Sequence, residues 1–252
     1  MKEWIGGRNA VYETLSARRR EFFRLRIADG AQEKGRLAEI IQIASARKLP
    51  LERAPRLRLD DLASGHQGVA LEASHYPYST LADILGHASQ LQEPPFILIL
   101  DTLQDPQNLG TLLRTAEAVG VHGVLLPLRR TATVTPAVVN ASSGASEHLL
   151  IAQSNLAQAM QSLKEADIWI AGLEWEPGAQ DVDRVRLDGP LALVVGNEGE
   201  GMRQLVHDSC DVLVKLPMRG KVASLNAAVA GSVALYLAWQ RRKFEGSHHQ
   251  RT

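Results

Sequence analysis

Short runs of apolar residues, separated by stretches with helical spacing, dominate the chain from residue 96 onward. The runs cover residues 97–100, 124–126, 168–171, 191–195 and 212–216. Because they are continuously apolar and do not alternate with polar residues, they predict strands covered on both faces, as in a parallel sheet. Covering helices are predicted by the spacing over residues 107–119, 155–165, 201–208 and 224–242. The pattern therefore predicts an α/β fold built on a parallel sheet.

The N-terminal part of the chain follows a different pattern, which predicts a smaller α/β unit. Helical spacing over 8–18 and 33–46 flanks an alternating strand at 22–27, and 69–73 predicts a last strand. Prolines then bracket a short amphipathic segment that is typical of a connector. The predicted organisation is a domain over 1–74, a linker over 75–93, a second domain over 94–245 and a disordered tail over 246–252.

Charge is distributed unevenly, although the formal net charge is zero. Residues 1–58 hold 14 Lys and Arg against 7 Asp and Glu. Such a cation excess in one part of a chain favours a polyanionic partner such as RNA, because phosphate backbones are bound largely by Lys and Arg. The alternative for any single run of charges is a solvated helix face. The candidate RNA contacts are Arg8, Arg18, Arg19 and Arg20.

Composition narrows the class of protein further. A single cysteine, Cys210, excludes an intramolecular disulfide and fits a reducing compartment. No apolar stretch approaches the roughly 20 residues needed to span a bilayer, and the first residues lack the apolar core of a secretion signal. The eight histidines show no metal-ligand spacing, so we predict no metal site. A cytoplasmic protein is expected.

Three segments between predicted strands and helices carry the candidate chemistry. They are Asn-x-Gly-x-x-x-Arg at 108–114, Gly-Asn-Glu-Gly-Glu-Gly at 196–201, and Leu-Pro-Met-Arg-Gly at 216–220 continuing to Ser-Leu-Asn at 224–226. Parallel α/β sheets bind ligands in loops at these strand ends. The glycine spacing at 196–201 does not match the dinucleotide fingerprint, and Gly220-Lys221 is not a P-loop. A nucleotide-dependent oxidoreductase is therefore disfavoured, and tight turns remain the structural alternative for either loop alone.

The order and spacing of all three segments resemble the SpoU branch of the SPOUT RNA methyltransferases. The match covers about residues 96–242. In the N-terminal part, Gly-Gly-Arg-Asn-Ala-Val at 6–11 and His-Gln-Gly-Val-Ala at 66–70 resemble the substrate-binding domain of bacterial 23S ribosomal RNA guanosine-2′-O-methyltransferases. That domain is similar to the ribosomal protein L30e fold.

The resemblance implies a deep trefoil knot formed by loops 196–201 and 216–225, a topology that is essentially absent from other folds. It implies S-adenosylmethionine as cofactor, held mainly by backbone groups of these loops. The implied cofactor-binding residues are Gly196, Asn197, Gly201, Leu216, Pro217, Met218, Ser224 and Leu225. It also implies a homodimer, for which the apolar helix predicted at 224–242 offers a face, although a helix buried within the chain would show the same face.

The catalytic residues implied by the resemblance are Arg114, Asn108, Glu198, Ser224 and Asn226. Arg114 would bind the ribose 2′-oxygen or an adjacent phosphate of the RNA, because a guanidinium stays protonated and cannot act as a base. Asn108 would orient Arg114 or the nucleotide, and Glu198 would accept backbone N–H groups or pair with Arg114. Ser224 is a candidate N-cap for the last helix. Asn226 is placed near the partner subunit's site.

The implied activity is transfer of a methyl group from S-adenosylmethionine to the ribose 2′-hydroxyl of a guanosine in 23S ribosomal RNA. Two nearby alternatives are the same reaction on transfer RNA and on another ribosomal site, such as that of antibiotic-resistance relatives. A third alternative is an RNA-binding or ribosome assembly factor without turnover. The intact set of polar site residues disfavours that last alternative.

Overall fold

The computed structural model describes residues 2–197, 199–221 and 224–246. Glu198 lies outside the described residues, as does the predicted tail from residue 247. The chain consists of two compact units. Unit 1 comprises residues up to Pro77 with Leu109–Arg114 and Thr133–His148. Unit 2 comprises Tyr78–Asn108, Thr115–Ala132 and the described chain from Leu149 onward.

Strands and helices alternate along most of the described chain. The strands are β1 (Lys2–Gly6), β2 (Phe22–Ala28), β3 (Leu51–Ala54), β4 (Val69–Ser74), β5 (Phe96–Leu100), β6 (Gly123–Pro127), β7 (Ile151–Ser154), β8 (Trp169–Leu173), β9 (Gln180–Asp181), β10 (Leu191–Val195) and β11 (Val212–Lys215). The helices are α1 (Arg8–Ala17), α2 (Arg36–Ala46), α3 (Arg56–Asp60), α4 (Leu81–Leu91), α5 (Pro106–Ala118), α6 (Pro136–Ala141), α7 (Leu156–Glu165), α8 (Gln204–His207) and α9 (Ala227–Arg241). Two short 3-10 turns lie at Ala145–His148 and Val182–Arg184.

Unit 1 contains a four-stranded mixed sheet in the order β1-β4-β2-β3. β4 is antiparallel to both of its neighbours, and β2 is parallel to β3. The alternating pattern of β2 is confirmed: Leu25 and Ile27 are buried, whereas Arg24 and Arg26 bind carboxylates of neighbouring strands. Alternation of this kind places one face of the sheet in the core and leaves the other to charged pairs.

Unit 2 contains a seven-stranded sheet in the order β7-β6-β5-β10-β8-β11-β9. Every described pair of neighbouring strands is parallel. All residues of β5, β6 and β10 are buried, as expected for central strands of a sheet covered on both faces. The parallel α/β prediction is confirmed.

Helix α4, inside the predicted linker, packs into the core of unit 2. Its N-terminus is a capping box in which Thr80 and Asp83 satisfy each other's backbone amides. Ile84 is fully buried and sits against Gly123 at the start of β6. A Cβ at Gly123 would lie 2.5 Å from the Ile84 Cγ1 atom, so α4 and β6 approach closely only because that residue is glycine.

Two predicted helices differ from the structure in length. The helix expected at 201–208 is the single turn α8, because Asn197 and Gly201 pair in a bridge that keeps the preceding residues non-helical. The last helix begins at Ala227 and not at residue 224. In the part of the chain that the structure describes, no helix is both long and apolar enough to cross a membrane.

Candidate functional site

A cavity opens in unit 2 at the carboxyl ends of β8, β10 and β11, where parallel sheets place their ligands. The volume of this cavity is about 120 Å³. The described lining consists of Leu173, Glu174, Trp175, Val195, Gly196, Asn197, Gly201, Lys215, Leu216, Met218, Ser224, Leu225, Ala227 and Ala230.

The structure brings most of the predicted cofactor residues together in this cavity. Gly196, Asn197 and Gly201 come from the loop after β10. Those contributed by the segment after β11 are Leu216, Met218, Ser224 and Leu225. The eighth predicted residue, Pro217, is exposed and is not part of the described lining.

Both lining glycines of the loop after β10 are required by close approach. A Cβ at Gly196 would lie 2.5 Å from the carbonyl carbon of Gly201, a clash with backbone that cannot move aside easily. Gly201 has φ of 66°, in the left-handed region that glycine tolerates, and a Cβ there would lie 2.7 Å from a carboxylate oxygen of Glu174. The motif glycines therefore fold the loop tightly against β8.

Glu174 braces this loop, although none of the sequence motifs includes it. Its carboxylate accepts a hydrogen bond from the backbone N–H of Met202 at 3.3 Å. Among the described residues, Glu174 thus fills the bracing role that was expected of Glu198, which lies outside the described residues. Glu174 directly follows the observed strand β8, between Leu173 and Trp175, which also line the cavity, and no sequence pattern marks it.

Asn197 holds the other end of the loop. Its backbone exchanges two hydrogen bonds of 3.0 Å with Gly201. Its side-chain Nδ2 donates to the carbonyl of Thr102 at 3.4 Å, and its Oδ1 accepts from the N–H of Gly199 at 3.3 Å. Because the side chain is occupied by backbone groups, Asn197 contributes to the cavity mainly by fixing main-chain atoms.

Asn108 and Asn226, two predicted catalytic residues, are hydrogen-bonded to each other. Asn226 Nδ2 donates to Asn108 Oδ1 at 3.2 Å. Asn226 is also the N-cap of α9, because its Oδ1 accepts from the N–H of Val229 at 3.1 Å. The expectation that Ser224 caps this helix is wrong, since α9 begins three residues later. Asn226 therefore joins α9 to the start of α5.

Arg114 lies on α5 and its Nη1 donates to the Ser143 hydroxyl at 3.2 Å, within unit 1. Ser143 has φ of 54°, a left-handed conformation that is uncommon for a residue with a side chain. The motif residue Gly110 allows α5 to approach this turn: a Cβ there would lie 2.4 Å from the Cβ of Ala141. The glycine of Asn-x-Gly-x-x-x-Arg thus lets the helix that carries Arg114 pack against the turn that binds it.

The four arginines predicted to contact RNA lie in different environments. Arg18 is exposed in a left-handed C-cap of α1, whereas Arg8 is half-buried and bonded to Gln67. Arg19 donates to the Tyr76 hydroxyl at 2.8 Å and lies over the ring. The assignment of Arg20 to the RNA surface is wrong, because its side chain has no exposed area.

Arg20 is the centre of a buried ion-pair network in unit 1. It makes two parallel hydrogen bonds to the Glu147 carboxylate, of 2.8 and 2.7 Å, and the Glu147 side chain is likewise fully buried. A second ion pair joins it to Glu3, and the carbonyl of Ser74 accepts at 2.9 Å. Burial opposes its charge, but hydrogen bonds and attraction from Glu147 and Glu3 outweigh it, and the pKa of Arg20 is raised.

The residues present fit S-adenosylmethionine. Apart from Glu174, Asn197 and Lys215, the described lining offers apolar side chains, small residues and backbone amides and carbonyls. Such a surface suits a ligand with an apolar thioether chain and an adenine ring that can be bound through main-chain groups. Among the described residues there is no group of three or more His, Cys, Asp or Glu that could hold a metal ion.

Comparison with known proteins agrees with this site. Residues 95–236 match the model of the SpoU rRNA Methylase family, and residues 4–79 match that described as RNA 2′-O ribose methyltransferase substrate binding. YacO of Bacillus subtilis, assigned to the TrmH family of tRNA/rRNA methyltransferases, is 42% identical over 244 residues, covering 95% of this chain and 96% of YacO.

Solved structures with the same fold include the SpoU methyltransferase AviRb from Streptomyces viridochromogenes in complex with AdoMet. The two structures align with a TM-score of 0.80 and 22% sequence identity, and the alignment covers 96% of this chain and 91% of the AviRb chain. An AdoMet-bound rRNA methyltransferase from Sinorhizobium meliloti has a TM-score of 0.79 and 24% identity, with coverage of 98% and 88%.

Fold and site together define an α/β RNA methyltransferase. The chain belongs to the SpoU rRNA methylase family. The predicted family and enzyme class are confirmed, and S-adenosylmethionine is confirmed as the cofactor of the family.

Proposed function

We propose that this RNA methyltransferase modifies the ribose 2′-hydroxyl of a guanosine in 23S ribosomal RNA. The observation that carries the proposal is the cavity at the carboxyl ends of β8, β10 and β11, which gathers backbone from both predicted cofactor loops. The N-terminal match to a family described as RNA 2′-O ribose methyltransferase substrate binding supports a ribose target in RNA, and the motifs at 6–11 and 66–70, which resemble those of 23S enzymes, fall inside it. The domain over 1–74 would bind RNA, and that over 94–245 would hold the donor.

The two loops would hold the methyl donor through main-chain atoms. Gly196, Leu216 and Leu225 are the positions that match the contacts of the family, and all three line the cavity. When bound, the cofactor supplies an electrophilic methyl group on a sulfonium centre. We propose that loops 196–201 and 216–225 also form the trefoil knot; residues 198, 222 and 223 within them lie outside the described residues.

Arg114 would stabilise the negative charge that develops on the ribose 2′-oxygen. A guanidinium stays protonated at ordinary pH, so it donates hydrogen bonds and does not accept the proton. The 2′-hydroxyl loses its proton to a phosphate oxygen or to water. The Ser143 hydroxyl, 3.2 Å from Arg114 Nη1, restricts the rotamers of the long side chain before RNA binds. Preorganisation of this kind lowers the cost of placing a charge at the reacting oxygen.

Asn108 and Asn226 would hold the helices around the reaction site in position. Their mutual hydrogen bond holds the N-terminus of α9, which follows the cofactor loop, against the first turn of α5. Correct alignment of donor and acceptor can supply roughly 7–11 kcal/mol of a reaction barrier. The asparagine pair therefore contributes by position and needs no proton transfer of its own.

We also propose that the enzyme is a cytoplasmic homodimer that pairs through α9. Val229, Val233 and Tyr236 follow helical spacing along one face of α9 and are 47%, 41% and 48% exposed. Apolar stripes of this kind on a helix mark association surfaces. In sedimentation, a Val233→Glu substitution should shift the protein from dimer to monomer, whereas Gln161→Glu, at an exposed position of α7, should leave the dimer intact. A monomeric wild-type protein would refute this assignment.

The reaction is tested by mapping ribose 2′-O-methyl groups in ribosomal RNA from cells with and without this protein. We expect one guanosine in 23S RNA to lose its mark when the protein is absent and to regain it with the wild-type gene. An Arg114→Lys variant should restore little or none of the mark, since a lysine lacks the planar fork. Loss of a mark in transfer RNA alone would refute the 23S assignment.

A further inference from the structure

A second cavity in unit 2 is lined by three arginines and has no role in the proposed reaction. Arg129 and Arg130 come from the loop after β6, and Arg203 comes from the segment that follows the cofactor loop. None of the described residues that line it carries a carboxylate. The other lining residues are Pro127, Leu128, Ser154, Asn155, Leu156, Ala157, Leu205 and Val206.

Arg203 is held rigidly at this cavity. The carboxylate of Asp101, which has no exposed area, accepts from the Arg203 Nε at 2.8 Å, from its Nη2 at 2.6 Å and from its backbone N–H at 2.8 Å. The Arg203 side chain is nevertheless 45% exposed. A guanidinium pinned along one edge keeps its remaining N–H groups for a ligand.

The loop that carries the other two arginines is also fixed. The carbonyl of Leu103 accepts hydrogen bonds from the Thr131 hydroxyl at 3.0 Å and from the backbone N–H of Ala132 at 2.7 Å. Arg129 and Arg130 are exposed immediately before this anchor. Their charges are therefore tethered next to the cavity by a loop that is bonded to the segment after β5.

Neutral hydrogen-bond donors complete the surroundings. The first-turn amides of α7, at Leu156 and Ala157, have no acceptor within their helix and belong to residues that line the cavity. The hydroxyl of Ser154 is buried and has no hydrogen-bond partner among the described residues. Guanidinium groups, helix N-terminal amides and a hydroxyl donor are together the set that binds a phosphate group.

The position of the cavity indicates which phosphate it would bind. It lies at the carboxyl ends of β6 and β7, and β6 is two strands from β10 in the sheet order. With about 4.8 Å between neighbouring strands, that separation is roughly 10 Å along the same edge that carries the cofactor cavity. Gly201 lines the first cavity and Arg203 the second, so a single loop contributes to both.

We propose that this arginine cavity binds a backbone phosphate of the substrate RNA, near the nucleotide that is methylated. The proposal rests on the proposed function in that it takes RNA to be the substrate. It adds a phosphate-binding subsite on unit 2, separate from the basic residues of the N-terminal domain. The double variant Arg129→Gln/Arg130→Gln removes the two exposed cations and leaves the Arg203–Asp101 pair intact.

The test measures RNA affinity against KCl concentration, with unmodified 23S RNA and bulk transfer RNA as probes. For each phosphate that the protein no longer neutralises, the slope of log K against log [KCl] should become shallower by about 0.7 for single strands or 0.9 for duplex. We expect that change in the double variant, with S-adenosylmethionine binding unchanged. The control Arg184→Gln/Arg186→Gln removes the same charge at exposed arginines that already pair with Asp181 and Asp188, and should leave the slope unchanged.

The outcomes separate this proposal from the proposed function. If wild-type protein binds RNA and the double variant shows the wild-type slope, the arginine cavity is not an RNA subsite. If inorganic phosphate binds the wild type and not the variant while the RNA slope is unchanged, the cavity serves a free anion and the proposal is overturned. If the slope changes equally with both RNAs and only transfer RNA is methylated, the 23S assignment fails and the subsite stands.

Discussion

The buried pair of Arg20 and Glu147 gives a direct test of how unit 1 is held together. Both side chains are fully buried and share two hydrogen bonds. Removing one partner of such a pair costs about 3–5 kcal/mol, because a charge stays buried without compensation. In Glu147→Gln, Arg20 keeps Glu3 and the Ser74 carbonyl, so we expect the lower end, about 3 kcal/mol.

Calorimetry measures this destabilisation as a change in Tm. For a protein of this size each kcal/mol lowers Tm by roughly 2–4 °C, so Glu147→Gln should lower it by about 6–12 °C. The matched control is Asp188→Asn, which breaks an ion pair of 2.8 Å whose Arg186 side chain is 85% exposed. Exposed pairs contribute about 0–1 kcal/mol. Equal shifts in the two variants would show that burial does not set the strength of the Arg20 pair.

Three further predictions concern single residues of unit 2. Gly196→Ala should weaken S-adenosylmethionine binding at least about tenfold in calorimetric titration, because its Cβ meets the Gly201 backbone, whereas Gly199→Ala, with open space around its Cβ, should bind normally. Burial lowers the pKa of His122 below 6.5, so the unfolded chain takes up a proton at this residue first as the pH falls. The free energy of unfolding should therefore drop by up to about 1.4 kcal/mol per pH unit below pH 6.5. Urea midpoints measured against pH should fall more steeply for the wild type than for His122→Asn, and equal slopes would contradict the prediction. Burial raises the pKa of Cys210 to about 12. At pH 8, iodoacetamide should therefore label this thiol at least about 100 times more slowly in the native than in the unfolded protein. Fast labelling of the native protein would show that the thiol is not buried.

The central strands could be predicted because strands buried on both faces have a continuously apolar local sequence. Residues of β5 and β10 are apolar without interruption, and the prediction places both within one residue of their observed bounds. β1 and β3 show no such pattern. Several of their residues are exposed or half-buried, and both strands depend on pairing with β4 and β2. Edge strands of this kind are set by partners that the local sequence does not reveal.

The site was predictable to the extent that backbone geometry requires glycine. Gly196 and Gly201 mark the cofactor loop because close approach permits no Cβ at either position. Glu174 and Asp101 could not be inferred, since each acts through hydrogen bonds to residues far away in the sequence. Arg20 was wrongly assigned to the RNA surface because the sequence shows its charge but not its buried partner. That partner, the Glu147 carboxylate, lies more than a hundred residues later in the chain.

The order in which the cavity walls occur along the chain has a consequence for incomplete proteins. Every described strand of the unit 2 sheet ends before residue 216, whereas Leu216, Ala227 and Ala230, which follow these strands in the chain, line the cavity. A frameshift or premature stop just after β11 would leave all these strands encoded but would remove one wall and helix α9. We therefore expect a chain truncated just after β11 not to bind the methyl donor, so that truncated products would not compete with the full-length protein for it.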